Sequence, residues 1–83
     1  MAASDLRAFE ITVAGRDTGG AFLLALTVVA DSLPSAQAML DMHATTNGWS
    51  VLAIEEVEQL GSVDAATPAG IRAQTGKAYV YEK

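Results

Sequence analysis

The chain has 83 residues, no cysteine and a formal net charge of −5, which predicts one small domain (residues 1–83) without disulfides or thiolate metal sites. No lysine or arginine occurs between Arg16 and Arg72, whereas seven acids lie there: Asp17, Asp31, Asp41, Glu55, Glu56, Glu58 and Asp64. An acidic body of this kind repels phosphate, which argues against nucleic acid and anionic membranes as partners.

Apolar residues make up 51% of the chain, which is high for a protein with so much surface relative to its volume. The excess predicts apolar surface hidden in a homodimer or against a partner. Residues 1–8 contain an acid and lack an apolar core segment, so no signal peptide is predicted, and no apolar run reaches membrane-spanning length. The expected compartment is the cytoplasm.

The first two predicted strands form a hairpin. Residues 7–14 alternate between apolar and polar, as a half-buried strand does, and residues 1–6 before them are expected to be disordered. Residues 15–20 are predicted to be the turn, because three glycines permit positive φ and Asp17 can bond nearby backbone. Residues 21–30 are apolar on both faces, so this second strand needs cover on two sides.

A helix is predicted next. It begins at a cap formed by Asp31 or Ser32, has a proline in its first turn, and ends at the Asn-Gly pair of residues 47–48. At about 100° per residue, Leu40 lies at the centre of the buried face and Met42 projects from the opposite, solvent-facing side.

The second half of the chain predicts further strands. Residues 49–60 form the third strand, and residues 61–76 are a long connection in which Pro68 opens one short helical turn around residues 69–73. Residues 77–82 form the last strand. The expected fold is α+β, a mainly antiparallel four-stranded sheet with one helix packed on one face, in the order β-β-α-β-β. Strand three is expected beside strand one, and the last strand at the far edge or folded over.

No catalytic constellation is recognisable, so the chain is predicted not to be an enzyme and to hold no cofactor or metal. The Gly-x-Ser-x-Gly and phosphate-loop patterns are absent, and His43 is the only histidine. One alternative stays open, a ligand-binding or enzymatic subunit whose pocket forms between protomers. Its lining residues would be His43, Trp49, Tyr79 or Tyr81.

The residues expected to contact a protein partner fall in two groups. Glu55, Glu56 and Glu58 form the charged end of strand three, with the last two on one face about 7 Å apart. Asp41 and Met42 lie on the helix, where a methionine suits an adaptable contact surface. A partner with a basic surface is expected, since charge then steers association. A structural or regulatory homo-oligomer is the alternative and is compatible with this expectation.

A longer pattern runs from Phe9 to Val57: strand, glycine turn, strand, residues 32–36 (Ser-Leu-Pro-Ser-Ala) opening a helix, and residues 47–49 (Asn-Gly-Trp) before another strand. It resembles small acidic proteins of bacteriophages and mobile elements, anti-CRISPR inhibitors among them. It is also similar to the N-terminal modules of type II secretion inner-membrane platform proteins, whose role requires a membrane span that is not predicted here. The resemblance implies a non-enzymatic inhibitor or accessory protein and assigns no functional residue.

Overall fold

The computed structural model describes residues 6–63 and 67–80. Its elements are β1 (Arg7–Asp17), β2 (Gly20–Ala30), α1 (Leu33–Thr46), β3 (Ser50–Ser62), β4 (Gly70–Gln74) and β5 (Ala78–Tyr79). The strands form one antiparallel sheet in the order β3-β1-β2-β4, and β5 also pairs with β2. The predicted α+β class is confirmed, and β3 lies beside β1 as expected.

The β1–β2 hairpin is longer than predicted. Asp17 lies opposite Gly20, so only Thr18 and Gly19 connect the two strands. The Gly19 N–H donates a hydrogen bond to Asp17 Oδ1 at 2.7 Å, as expected for an aspartate at a turn. The prediction of a turn over residues 15–20 was wrong, because the first three of them continue β1 and pair with β2.

Gly15 is a buried residue of β1 with a packing role. A Cβ atom at this position would lie 2.8 Å from Phe22 Cζ and 2.8 Å from Trp49 Cε3, closer than such atoms can approach. A glycine is needed at position 15 because it leaves room for two aromatic rings, and not because the backbone there requires a positive φ.

The core lies between the sheet and one face of α1. Alternate residues of β1 and β2 point toward the helix, and they form one cluster with three helix residues and a tryptophan: Phe9, Ile11, Val13, Phe22, Leu24, Leu26, Val28, Ala30, Ala36, Leu40, Ala44 and Trp49. Leu40 is 0% exposed and Met42 is 71% exposed, so the predicted orientation of the helix is confirmed.

The ends of α1 follow the predicted signals. Ser32 is the N-cap, and its Oγ accepts a hydrogen bond from the Ser35 N–H at 3.3 Å. Asn47 is the C-cap, and Gly48 follows it at φ +78°, a conformation that glycine adopts without strain.

β4 replaces the helical turn that was predicted around residues 69–73. Gly70 has φ +133°, and Ile71 pairs with Val28 and packs against the core. One isolated helical turn would gain little, whereas a β-branched apolar residue gains both pairing and burial on the edge of β2. The sheet therefore has five strands instead of four.

Two predictions concern the two ends of the chain, which the structure describes only in part. Of the predicted last strand at residues 77–82, Ala78–Tyr79 is a strand, and residues 81–83 lie outside the described residues. Residues 1–5 lie outside the described residues as well, so the disorder predicted for residues 1–6 stays a prediction for these five. Leu6 is described, and its carbonyl accepts a hydrogen bond from the Val63 N–H at 3.4 Å.

Replacing Leu40 by alanine should lower the free energy of unfolding by about 2–4 kcal/mol, because it leaves a cavity at the centre of the core. Met42→Ala is the matched control, since it shortens an exposed side chain on the same helix and should change stability by less than about 0.5 kcal/mol. Urea denaturation followed by circular dichroism measures both. Equal losses for the two variants would show that the helix faces are assigned wrongly.

Candidate functional site

β3 is an outer strand of the sheet and is exposed along nearly its whole length. Within the described residues its single neighbour is β1. Leu52 and Leu60 are 54% and 51% exposed, and Ile54 and Val57 are each 36% exposed. An outer strand with exposed backbone and apolar side chains can pair with another chain.

Three β-bulges interrupt the pairing of β3 with β1. At each bulge the register leaves one extra residue on β3: Leu52, Glu55 and Leu60. Bulges twist a strand and end regular pairing, and natural proteins use them to protect sheet edges. Residues 56–59, between the last two bulges, pair one for one with four consecutive residues of β1. We call residues 56–59 the regular segment.

Three carboxylates lie on the sheet face that points away from the helix. Glu58 is directly opposite Glu10, and Glu56 is opposite Thr12. Glu10 and Thr12 alternate with core residues such as Ile11, so their side chains and those of their partners lie on the other face. Like charges in directly opposite positions repel. We call Glu10, Glu56 and Glu58 the acidic face.

No ion pair neutralises the acidic face within the described residues. The ion pair that the described residues form between Lys77 and Asp17 lies elsewhere, beside the β1–β2 turn. All three carboxylates are exposed to solvent. Among the described residues, none forms an ion pair that would offset the repulsion between Glu10 and Glu58.

The structure brings together only part of the predicted contact residues. Glu56 and Glu58 share a face, as predicted, whereas Glu55 lies at a bulge and has no opposite residue on β1. Asp41 and Met42 are exposed on α1, which packs on the other side of the sheet. Glu56 and Glu58 thus lie on one side of the sheet and Asp41 and Met42 on the helix side, so the five residues do not form one surface.

Glu10 was missed by the sequence analysis. Its place on β1 is evident from the alternating pattern, but the residue opposite it depends on the register between β1 and β3. Three bulges shift that register, and no signal in the sequence gives their positions. The like-charge pair could therefore be found only from the structure.

A second polar cluster joins the end of the chain to the β1–β2 turn. Asp17 Oδ2 accepts hydrogen bonds from Lys77 Nζ at 2.6 Å and from Tyr79 Oη at 2.8 Å. Lys77 Nζ also lies 4.8 Å from the centre of the Phe22 ring, within range of a cation–π contact. These contacts fix β5 and the residues before it against the hairpin.

The Asp17 carboxylate is held in its charged form. The hydrogen bonds from Lys77 and then from Tyr79 lower the pKa of Asp17 to about 2, against an ordinary value of 3.8. The same carboxylate, as hydrogen-bond acceptor, raises the pKa values of Lys77 and Tyr79. All three shifts favour the protonation states present at neutral pH, which is what a structural anchor requires.

The aromatic residues considered for a pocket pack on one another. Trp49 is buried, and the rings of Trp49 and Tyr79 meet the Phe22 ring edge-on with centroids 5.3 Å and 5.6 Å away. The interpretation of Trp49 as a core residue is confirmed. Tyr81 lies outside the described residues, and among those described no three His, Cys, Asp or Glu side chains are grouped to hold a metal ion.

His43 connects the end of α1 to β4. Its Nε2 lies 2.6 Å from Gln74 Oε1, so Nε2 carries the hydrogen and donates it. Its Nδ1 is then an acceptor, with Asn47 Nδ2 at 3.4 Å, and its ring lies 6.4 Å from that of Trp49 in an edge-on arrangement. The Nε2 contact thus joins α1 to β4, and the Nδ1 contact lies within the C-terminal end of α1 itself.

No family model, curated protein or solved structure matches this chain. The resemblance to small acidic phage proteins therefore stays a prediction, and the geometry and charge of the molecular surface are what bear on its function. In the part of the chain that the structure describes, the helix is too short and too polar to cross a membrane.

The stabilising effect of Asp17 should disappear in acid. Because the folded-state pKa of about 2 lies below the ordinary value of 3.8, the contribution is present above about pH 4 and is lost as the pH falls through 2. The stability difference between wild type and Asp17→Asn should be constant from about pH 5 to 8 and shrink below about pH 4. Asp31→Asn controls for the loss of one negative charge.

Carbon-13 NMR of the Asp17 carboxyl group follows the same titration directly. The account requires a midpoint close to 2. A midpoint near 4, with a difference between the variants that does not depend on pH, would mean that the contacts with Lys77 and Tyr79 do not form in solution.

Proposed function

We propose that this chain is a non-enzymatic protein-binding module whose acidic face holds a basic surface of its partner. The observation that carries the proposal is the Glu10–Glu58 pair, two like charges in directly opposite positions on neighbouring strands. Like charges in such positions cost free energy. A lysine or arginine placed between the carboxylates would turn this cost into attraction.

The exposed apolar residues of β3 support the same proposal. Ile54 and Val57 lie on the helix side of β3, opposite Val13 and Ile11 of β1, yet α1 leaves them partly exposed. A partner that covers them removes apolar area from water, which supplies affinity. The carboxylates on the other face of the same strand then supply steering and orientation.

A module of this kind acts by occupying a surface of its partner. The biological role we propose is that of an inhibitor or accessory protein of a phage or another mobile element. Small size, the acidic surface and the β-β-α-β order support it. Binding to a basic surface is sufficient for such a role, since no chemical step is needed.

A homo-oligomer is the second candidate, and the exposed apolar residues of β3 favour it. Repulsion between the acidic residues of two copies argues against this candidate. In a symmetric antiparallel pairing of two β3 strands, Glu56 lies at the midpoint of Ser50–Ser62, so the two groups of glutamates would face each other. Light scattering at micromolar concentration and low salt separates the candidates, since a homodimer gives twice 8.6 kDa.

The acidic face should be needed for binding and not for folding. The double change Glu56→Lys, Glu58→Lys should keep or slightly raise stability, because it places a lysine opposite Glu10. The double change should weaken the binding of a basic partner, mainly by slowing its association at low salt. The matched control is Asp31→Lys, Thr45→Lys, Thr46→Lys, which makes the same change in net charge at exposed positions outside the sheet.

The experiment starts with capture from the native host by the tagged wild type, by the Glu56→Lys, Glu58→Lys variant (the sheet variant) and by the control variant. A partner retained by the wild type and the control but lost by the sheet variant is then purified, and its binding is measured across a salt series. Equal affinities of the wild type and the sheet variant for this partner at low salt would show that the acidic face does not contribute to binding.

A further inference from the structure

We propose that the partner binds as an extended segment that adds a strand beside the regular segment of β3, and that basic and apolar residues alternate in it. This inference depends on the proposed function, because it specifies how the acidic face meets its partner. It is carried by three features of β3: an outer edge with which no described strand pairs, the length of its regular pairing and the different chemistry of its two faces.

The outer edge of the regular segment has the geometry that an added strand needs. Within the described residues β3 pairs on one side only, with β1. Backbone N–H and C=O groups of a strand point alternately to its two sides, so half of those in residues 56–59 point outward. The bulges at Glu55 and Leu60 bound this segment, which limits regular addition to a short strand.

The two faces of the regular segment select different side chains. Glu56 and Glu58 point away from the helix, and Val57, opposite Ile11, points to the helix side, where it is partly exposed. Side chains of an added strand lie beside those of β3 on the same two faces. Residues beside the glutamates should therefore be lysine or arginine, and residues beside Val57 should be apolar. A shift by one residue would reverse both contacts.

A second copy of the chain fits this edge poorly. Its own regular segment, Glu-Val-Glu-Gln, has the required alternation between charged and apolar residues but the wrong sign of charge. Pairing it with itself would bring glutamates beside glutamates and add to the repulsion already present between Glu10 and Glu58. Charge complementarity thus favours a basic segment of another protein.

Two capped peptides of equal composition test the alternation. Lys-Val-Lys-Val-Lys should bind about tenfold more tightly at low salt than Lys-Lys-Lys-Val-Val, because two or three favourable cross-strand contacts are then made together. Fluorescence anisotropy gives the affinities. Nitrogen-15 NMR should show the largest shifts in residues 56–59. Glu56→Gln, Glu58→Gln should abolish the preference, whereas Asp31→Lys, which makes the same change in net charge, should retain it.

Methylation of the peptide backbone separates strand addition from attraction between charges. Methylating one alternate set of N–H groups should abolish binding, and methylating the other set should leave it intact, since only one set faces β3. Equal binding of the two peptide sequences, or equal effects of the two methylations, would overturn strand addition and leave the acidic face as a binding surface. If neither peptide binds, strand addition is overturned too. The capture experiment then tests independently whether the acidic face binds a partner.

Discussion

Within the described residues one helix packs on the sheet, and the rest of the structure depends on how much of the sheet this helix covers. With 14 residues, α1 is about 21 Å long, whereas β3 with 13 residues extends about 43 Å. Leu40 and its neighbours close the core over β1 and β2. The residues from Leu52 to Leu60 stay exposed at the edge. The exposure of β3 is thus a consequence of the size and position of the helix.

An exposed outer strand is a risk, because it can pair with any chain that offers a free edge. β3 has the two protections that natural sheets use most directly, bulges and charges. Both act selectively. The bulges leave residues 56–59 as a regular segment, and in the proposed mode of binding the carboxylates repel a second copy of the chain and attract a basic partner. Under that proposal, protection against self-association and recognition of a partner depend on the same residues.

Much of the fold could be predicted from the sequence, because it depends on local patterns. Alternation identified β1 and a continuous apolar run identified β2, and the caps and the 3.6-residue period placed α1 with Leu40 inside and Met42 outside. Gly15 was assigned to the turn because a glycine that makes room for distant rings has the same sequence signal as one that permits a turn. β4 was missed because its stability depends on pairing with β2.

The candidate site was harder to predict than the fold. Asp17 and Lys77 are 60 positions apart, and nothing local indicates that they meet. The Glu10–Glu58 pair depends on a register that three bulges shift. The prediction that the glutamates form the charged end of the third strand was wrong, because β3 continues to Ser62 and they lie near its middle. Which carboxylates share a face is a property of the folded sheet.

The most direct test of the account is amide hydrogen exchange along β3 in the free protein at micromolar concentration. If the outer edge is open, protection in residues 56–59 should alternate, because amides bonded to β1 exchange slowly and outward-facing amides exchange rapidly. Amides in the interior of β1 and β2 should be protected continuously, since both strands are paired on two sides. Uniform protection of all four amides in residues 56–59 would contradict the account, because it would mean that another strand already occupies the edge.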